Sequence, residues 1–335
     1  MNTGEDILEE AITKLEGYSG FKIRNDQGLG KDKYIAINGT KFNVTIVKEI
    51  TKGNKGVLLN LIHPLINETD VPFLLVTKYI PNDIAFEYVN KYRVNYLDLA
   101  GNCHIRTKDF FILIEGKKRE KAERKNQSRA FQEAGIKIIF YLLNNPENIN
   151  LPYRAIATES GVSLASVGYV LQELTELSFF MKTKKGNFLK NQKELLNRWV
   201  IAYHEVLRPR LFLKKMRFMK REKNEWSYLP IKDAQDLVLW GGEPAGALMT
   251  NYLFPAAFTL YTDGVWKTLI NDLELVPSEY GEIEILKIFW IEKDTSKKTN
   301  TVPPLLVYAD LVGTGNDRNI ETAKIILENE LSHIQ

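Results

Sequence analysis

The sequence predicts a multidomain α/β protein whose middle portion is helical. Short apolar runs alternate with polar residues from Phe21 to Gly116, helical spacing dominates from Ala130 to about Arg210, and strand and helix patterns alternate again after Lys223. At 335 residues the chain exceeds the usual size of one domain. We therefore expect three domains, at residues 1–120, 121–223 and 224–335.

Charge is divided unevenly along the chain. The composition, 44% hydrophobic and 26% charged, is that of a folded protein with real cores, so disorder is not expected. The net charge of +3 conceals a division: from Asn224 onward there are 8 basic and 17 acidic residues, or −9, which leaves +12 for the preceding residues. This pattern indicates polyanion binding by the first two thirds and a different task for the last third.

Neither a membrane segment nor a disulfide is predicted. The longest apolar run, Ile138 to Leu143, is far shorter than the ~20 residues of a membrane-crossing helix, and the N-terminus MNTGEDILEE is acidic where a signal peptide is basic. Cys103 is the single cysteine and has no CxxC partner that would hold zinc. We expect a cytoplasmic protein without a membrane partner.

The first segment has the pattern of an α/β domain with a mixed sheet. A short helix over about Glu5 to Leu15 precedes runs that alternate like strands, YIAI, FNVTIV, VLLNLI, FLLVT and FFILIE. Residues Pro81 to Tyr92 have helical spacing between them. In VNYLDLAGNCHI we expect a tight turn, in which Asp98 and Asn102 bond their own backbone and Cys103 is buried.

This segment resembles the core of the restriction-endonuclease-like fold. Active members of that fold place a carboxylate on one strand and Glu-x-Lys on the next, where they bind Mg²⁺ and activate water. The strand FNVTIV offers Thr45 and Val47 at the expected Glu and Lys positions. We expect no catalysis, although Asp32, Lys48 and Glu49 lie near enough in sequence to form a migrated site.

A basic run connects the first and second segments. Residues Lys117 to Arg129 contain seven basic side chains against Glu120 and Glu123. Such a run is either a solvated linker or a phosphate contact, and its position before the next domain favours contact. The residues of the run taken as DNA contacts are Lys117, Lys118 and Arg119.

The second segment has the element order of a winged helix-turn-helix. AGIKIIFYLLNN, PYRAIATES and SLASVGYVLQELTEL read as three helices, the third capped by Ser163, and FFMKTKKGNFLKN reads as a hairpin around Lys185-Gly186. A longer helix, KELLNRWVIAYHEVLRPRL, and the basic string RPRLFLKKMRFMKREK follow. The alternative use of such a fold is protein contact or dimerisation.

The third of these helices has the two faces that a recognition helix needs. Its apolar face is formed by Val167, Val170, Leu171, Leu174 and Leu177. Its other face is small and polar, which suits a major groove ~12 Å wide. That face carries Ser163, Ser166, Tyr169, Gln172 and Glu173, of which the first four are the predicted base contacts. The predicted backbone contacts of the hairpin are Lys182, Lys184, Lys185 and Lys190.

The acidic segment resembles a nucleotidyltransferase fold without its acids. LWGGEPAGALMTNYLFPAAFTLYT has the strand, Gly-Gly turn, helix and second strand of that fold, but Thr259 and Tyr261 stand where Asp-x-Asp would bind two metal ions. Glu243, for which charge at a helix N-terminus is the ordinary explanation, Asp263 and Asp310 remain as acidic groups. The histidines lack metal-binding spacing. We therefore predict a degenerate scaffold with no catalytic residue, no metal site and no cofactor.

Five stretches together resemble the AbiEi-type antitoxin and transcriptional-regulator family of type IV toxin-antitoxin systems. The resemblance extends over nearly the whole chain from about Phe21, and its most specific parts are Gly241 to Ala245 and Tyr308 to Ala323. The stretches are NYLDLAGNCHI, the central winged helix, RWVIAYHEVLRPRL, LWGGEPAGALMTNYLFPAAFTLYT and LLVYADLVGTGNDRNIETA. The simplest antitoxins of this kind carry the winged helix at the N-terminus, whereas a nuclease-like domain precedes it here.

The resemblance implies a DNA-binding regulator that represses its own operon and opposes a nucleotidyltransferase-like toxin. The expected partners are double-stranded operator DNA upstream of its own operon, such a toxin, and a second copy of the chain in a homodimer. Two alternatives stay open. In the first, the chain is a nuclease or nucleotidyltransferase that uses the winged helix to find its substrate. In the second, it is an antitoxin that acts by protein-protein contact.

Overall fold

The protein is a mixed α/β chain of two compact units, Met1–Lys125 and Asn126–Gln335. A computed structural model describes residues 4–27, 33–51, 54–67, 71–118, 128–184, 186–219, 223–229, 231, 236–291 and 300–334. The mixed α/β class predicted from the sequence is confirmed. Each unit is described by itself below.

Within its described residues, the first unit contains one mixed sheet and three helices. The strands follow the order β1 to β7 across the sheet; β3, β4 and β5 run parallel to one another, and the outer pairs are antiparallel. The elements are α1 (Gly4–Ser19), β1 (Ile23–Gln27), β2 (Lys33–Ile37), β3 (Thr40–Val47), α2 (Lys55–Asn67), β4 (Phe73–Thr77), α3 (Asn82–Tyr92), β5 (Asn95–Asp98), β6 (Cys103–Arg106) and β7 (Phe111–Ile114).

One strand prediction in this unit is wrong. The run VLLNLI lies in helix α2, not in a strand. Strands β3 and β4 are parallel neighbours, and parallel neighbours require a crossover connection, which α2 supplies here. The run is nearly continuous in apolar residues, so its periodicity could not separate a buried strand from a buried helix.

The predicted turn between β5 and β6 is confirmed. The backbone N–H of Asn102 donates to Asp98 Oδ1 at 2.8 Å, and the amide of Asn102 donates to Asp98 Oδ2 at 2.9 Å. Cys103 is fully buried in the core that α1 forms with the sheet, and burial raises the pKa of its thiol to about 12. Burial also raises the pKa of Asp98, while its bonds to Asn102 lower it. These contacts make Asp98 and Asn102 structural residues of the turn.

Three helices and a hairpin open the second unit. Helix α4 (Glu133–Asn144) buries most of its length, and α5 (Tyr153–Ser160) and α6 (Leu164–Glu176) pack against it. Strands β8 (Phe180–Thr183) and β9 (Gly186–Leu189) form the hairpin that the sequence predicted. The order and bounds of these elements match the sequence prediction closely.

A long helix then joins the hairpin to a second sheet. It consists of α7 (Gln192–Ala202), a π-helical turn (Tyr203–Leu207) and the last turn α8 (Arg208–Leu211). Its buried Trp199 stacks on Tyr203 at 5.4 Å between ring centroids, and the indole N–H donates to Ile136 O at 2.9 Å. The long helix is thereby anchored to α4.

The second sheet contains, within the described residues, five strands in the order β11-β12-β14-β10-β13. Strand β10 pairs with β14 and β13, although its residues precede Lys223 and belong to the basic string that the sequence assigned to the second segment. The sheet of the third segment therefore begins before the predicted boundary. The strands are β10 (Phe212–Phe218), β11 (Val238–Gly241), β12 (Phe258–Thr262), β13 (Leu275–Pro277) and β14 (Ile283–Lys287).

Four further helices accompany this sheet in the described residues. Helix α9 follows β11 directly, and the two last helices pack against it and against each other. They are α9 (Gly242–Thr250), α10 (Leu269–Asp272), α11 (Pro304–Gly313) and α12 (Asp317–Asn329).

Candidate functional site

The turn between α5 and α6 is set by local sequence. Helix α5 ends at Gly161, which adopts the left-handed conformation with φ of 64°. Ser163 then caps α6, because its hydroxyl accepts the backbone N–H of Ser166 at 3.2 Å. The predicted N-cap is confirmed, and the two residues fix where α6 begins.

Helix α6 presents the two predicted faces. Val167, Val170, Leu171 and Leu174 are buried, whereas Ser163, Tyr169 and Gln172 are exposed and Ser166 is half-buried. None of the four predicted base contacts lies in the core. The hydroxyl groups of Ser163 and Ser166 bond each other at 2.8 Å, and the amide of Gln172 donates to Glu176 Oε1 at 3.1 Å. Polar groups therefore line the outer side of α6 along its length.

Glu173 differs from its predicted position on the exposed face. Its Oε2 accepts the backbone N–H of Ala130 at 2.8 Å, and its Oε1 accepts the hydroxyl of Ser128. The carboxylate of Glu173 therefore holds residues 128–130, which begin the described part of this unit, against α6. Arg129, the last residue of the basic run, thereby lies with its guanidinium 4.9 Å above the ring centroid of Tyr169.

The hairpin is attached next to the turn that follows α4. The backbone N–H of Asn187 donates to Asn150 Oδ1 at 2.8 Å, and the amide of Asn150 donates to Asn187 O at 3.2 Å. The predicted lysines of this hairpin are exposed at positions 182, 184 and 190, and Lys185 lies outside the described residues. Lys182 has its ammonium 5.9 Å from the ring centroid of Tyr153 on α5. The hairpin thus offers positive charge beside the helix pair.

The three basic residues predicted at the start of the run are placed only in part. Lys117 and Lys118 are exposed in the first unit, where the backbone N–H of Lys117 donates to Asn102 Oδ1 at 2.8 Å. The ammonium of Lys117 lies 4.2 Å from the ring centroid of Tyr18. Arg119 and the residues up to position 127 lie outside the described part of the chain.

In the C-terminal sheet, the Gly-Gly turn is required by close packing. A Cβ on Gly241 would lie 2.4 Å from Cε2 of Tyr261, and one on Gly242 would lie 2.8 Å from Thr259 Oγ1. Gly242 also has a positive φ of 49°. Thr259 and Tyr261, which the sequence predicted to stand in place of metal-binding acids, therefore face the turn that begins α9.

A buried polar network surrounds the carboxylate of Asp310 on α11. The hydroxyl of Tyr261 donates to Asp310 Oδ2 at 2.9 Å, the hydroxyl of Tyr203 lies 3.1 Å from Oδ1, and the two hydroxyl oxygens are 2.6 Å apart. The backbone N–H of Gly242 also bonds this carboxylate. Arg208 Nε lies 3.5 Å from Oδ1, and its Nη2 donates to Glu284 at 2.9 Å.

Burial and charge act in opposite directions on this network. Burial raises the pKa of Asp310, while Arg208 and the two tyrosine hydroxyl groups lower it. Burial lowers the pKa of Arg208, but the charge of Asp310 and its other neighbours raises it above the usual value. Burial holds the pKa of Tyr203 and of Tyr261 well above the usual value, so both phenols keep their protons and act as donors.

Glu243 has a structural task that the sequence did not reveal. Its Oε2 accepts the backbone N–H groups of Ala256 and Ala257 at 2.6 and 3.2 Å, and its Oε1 accepts the amide of Asn319 at 2.9 Å. The carboxylate, predicted to complement the dipole of the helix, instead joins α9 to α12 and to the loop before β12. In the sequence, only the position of Glu243 directly after the Gly-Gly turn indicated a structural role.

No cluster for a metal ion is formed by the described residues, where no group of three or more His, Cys, Asp or Glu side chains converges. None of the described helices combines the length and the apolar composition that crossing a bilayer requires.

Comparison with known proteins gives one match. A family model described as "Transcriptional regulator, AbiEi antitoxin, Type IV TA system" matches residues 188–332. Searches of the curated proteins and of the solved structures gave no match. The matched region contains both stretches on which the resemblance chiefly depended, Gly241 to Ala245 and Tyr308 to Ala323, whereas the residues before Phe188 lie outside it. Residues 188–332 are thus similar to the AbiEi antitoxin family, and the match covers less than half of the chain.

Proposed function

We propose that the chain is a DNA-binding transcriptional regulator that represses its own operon as the antitoxin of a type IV toxin-antitoxin system. The observation that carries this proposal is helix α6, whose outer side is polar and exposed beside a lysine-bearing hairpin. The order of α4, α5, the turn at Gly161, α6 and the hairpin supports the proposal of a winged helix-turn-helix.

In this proposal α6 enters the major groove with its N-terminal end first. Ser163, Ser166, Tyr169 and Gln172 reach base edges there, because small residues at the start of the helix allow close approach. The amide of Gln172 is held by Glu176 on the exposed surface, where an adenine edge could replace that partner. These side chains would determine which operator is bound.

Phosphate contacts would come from the basic side chains around α6. Lys182, Lys184 and Lys190 are exposed on or beside the hairpin, and Arg129 is held against α6 by the bonds of its neighbours to Glu173. Each phosphate neutralised releases a condensed counterion, which makes affinity fall with salt. Lys117, Lys118 and Arg119 are proposed to extend this footprint, with Lys185.

The parts flanking the winged helix are proposed to be scaffolds without catalysis. In a nucleotidyltransferase layout the Gly-Gly turn and helix N-terminus receive a nucleotide phosphate; here the N–H of Gly242 is bonded to the carboxylate of Asp310. Tyr261, at the position of a metal-binding Asp, donates to that same carboxylate. In the first unit, proposed to be a nuclease-like core, Thr45 and Val47 replace the expected acid and lysine.

The remaining partners are part of the same proposal. A regulator of its own operon acts on the chromosome, so we expect it in the cytoplasm, and a palindromic operator would require a homodimer. The acidic portion, residues 224–335, is the region proposed to face a nucleotidyltransferase-like toxin, since opposite charge promotes encounter.

The deciding experiment is a gel-shift titration with the DNA upstream of the chain's own gene, at a stated salt concentration, against random duplex of equal length. We expect preference for the upstream DNA by at least about a thousandfold, as is usual for specific regulators. Equal affinity for both duplexes, or no binding to either, contradicts the proposal.

The hairpin is tested by replacing Lys182 and Lys184 together with Ala. We expect weaker binding to specific and random DNA alike, and a salt slope smaller by up to about 2, because each lost phosphate contact removes ~0.9 from the slope. Lys324→Ala on α12, also an exposed lysine, is the matched control and should leave the slope unchanged. An unchanged slope in the double variant removes the hairpin from the footprint.

A further inference from the structure

Helix α6 carries an acid one helical turn after a residue of its proposed DNA-facing side. Glu173 follows Tyr169 at the spacing that makes two side chains neighbours along a helix. A carboxylate in such a place ordinarily repels the phosphates of DNA and weakens binding. The contacts of Glu173 point to the opposite effect.

Both oxygens of this carboxylate hold the segment that contains Arg129. Oε1 accepts the hydroxyl of Ser128, and Oε2 accepts the backbone N–H of Ala130 at 2.8 Å. The side chain of Ala130 is buried, and a Cβ on Gly135 would lie 2.2 Å from Ala130 O, so α4 begins in direct contact with this segment. The residues on both sides of Arg129 are therefore fixed.

The side chain of Arg129 is exposed and contacts an aromatic ring of α6. Its guanidinium carbon lies 4.9 Å from the ring centroid of Tyr169, which is itself exposed. A guanidinium can contact a ring and still donate to two oxygens of one phosphate. The carboxylate of Glu173 and the ring of Tyr169 thus place one positive charge at a defined position beside α6.

We propose that Glu173 is a positioning residue for DNA binding, which holds Arg129 against Tyr169 so that this guanidinium meets a backbone phosphate beside α6; this rests on the proposed function. An arginine already held in place loses less conformational freedom when it binds, and ordering one long side chain costs about two- to tenfold in affinity. Salt screens the repulsion between the carboxylate and DNA but does not diminish this gain in order. The net effect of Glu173 is therefore tighter binding.

The test is a titration of the full chain with the duplex upstream of its own gene and with random duplex of equal length, at one stated salt concentration. Glu173→Ala should bind both duplexes about three- to tenfold more weakly than wild type, although it removes a negative charge. Glu173→Gln should bind at least as tightly as wild type, since its oxygen can accept the N–H of Ala130 and its NH₂ can donate to the hydroxyl of Ser128. The matched control is Glu147→Ala, at an exposed acid between α4 and α5, which should leave the affinity unchanged or slightly higher.

Combination with Arg129→Ala shows whether Glu173 acts through that arginine. Arg129→Ala alone should weaken binding and lower the salt slope by about 0.9. In that background Glu173→Ala should cause no further loss, whereas an equal loss in both backgrounds contradicts a positioning role. Thermal unfolding checks the fold of each variant; if Glu173→Ala is unfolded, Ser128→Ala, which removes one bond and no charge, replaces it and should weaken binding about twofold.

Two results overturn the positioning role while leaving the proposed function intact. They are binding by Glu173→Ala as tight as that of wild type, and binding by Glu173→Gln as weak as that of Glu173→Ala. Absence of DNA binding by wild type overturns both proposals. If wild type binds both duplexes equally, the regulator is contradicted, while the comparison of the variants on either duplex still decides the role of Glu173.

Discussion

Replacing Glu243 by Ala tests whether its carboxylate stabilises the fold by accepting hydrogen bonds. In the folded chain this buried side chain accepts two backbone N–H groups, from Ala256 and Ala257, and the amide of Asn319. Glu243→Ala removes both acceptor oxygens, and with them all three hydrogen bonds. Asn319 already has Thr314 Oγ1 as a second acceptor at 3.1 Å, so its amide keeps a partner. The cost of the substitution therefore comes mainly from the two backbone groups.

The magnitude follows from the exposure of that loop. A buried donor left without an acceptor costs about 1–3 kcal/mol. Residues 256 and 257 are exposed, so water can reach part of the freed N–H groups, and the cost for each lies near the lower end of this range. We expect a loss of about 2–3 kcal/mol. The unit extends over Asn126–Gln335, for which each kcal/mol shifts Tm by about 2–4 °C, so the expected fall is roughly 5–10 °C.

The assay is thermal or urea unfolding of wild type, Glu243→Ala, Glu243→Gln and the control Glu328→Ala. Gln keeps one oxygen acceptor but turns its NH₂ group toward a donor, so it should fall between wild type and Ala. Glu328 is exposed on α12, and its loss should change stability by less than ~0.5 kcal/mol. If Glu243→Ala is no less stable than Glu328→Ala, the anchor reasoning is refuted.

Two further predictions concern backbone and pH. Gly242→Ala should lower the free energy of urea unfolding by about 2–3 kcal/mol, because residue 242 has a left-handed φ of 49° and a Cβ there would lie only 2.8 Å from Thr259 Oγ1. The control is Gly168→Ala in α6, where a Cβ meets nothing within 4 Å. Its stability should be unchanged or higher. Burial, and then the charge of Arg208, lowers the pKa of His204 from 6.5 to about 4, while its Nε2 bonds Ala309 O at 2.8 Å. Because the folded state has the lower pKa, this stability is full above pH 6.5 and falls as the pH drops toward 4. At pH 5 the loss is at most about 2 kcal/mol relative to pH 7. Unfolding of His204→Gln should lack this component, and an unchanged pH profile would contradict the assignment.

Local patterns predicted local structure well. Ser163 and Gly161 marked the start of α6 and the preceding turn because capping and left-handed backbone depend on neighbouring residues alone. The hairpin at Lys185-Gly186 and the turn at Asp98 follow the same logic. Apolar spacing correctly predicted that Val167 and Leu174 face the core while Tyr169 does not.

The errors arose where contacts between residues far apart in sequence determine the structure. The sequence described the residues of β10 only as part of a basic string, because the pairing of β10 with β14 joins residues about 70 positions apart that no local pattern connects. The bonds from Tyr203 and Tyr261 to Asp310 span 107 and 49 residues. Sequence spacing predicted that Tyr261 stands in place of an acid, but only the fold reveals that its hydroxyl bonds to the carboxylate of Asp310 on α11.

The family match and the proposed DNA-reading helix lie on different residues, so the match does not test whether α6 binds DNA. The match begins at Phe188 and includes the long helix, the second sheet and Asp310, whereas α6 precedes it. The network lies within the matched region, where Tyr203 and Arg208, on the helix that follows the hairpin, contact Asp310 on α11. Removing one partner from such a buried charged pair costs about 3–5 kcal/mol. A partner that binds residues 224–335 therefore binds a part that buried contacts hold to the helix that follows the hairpin.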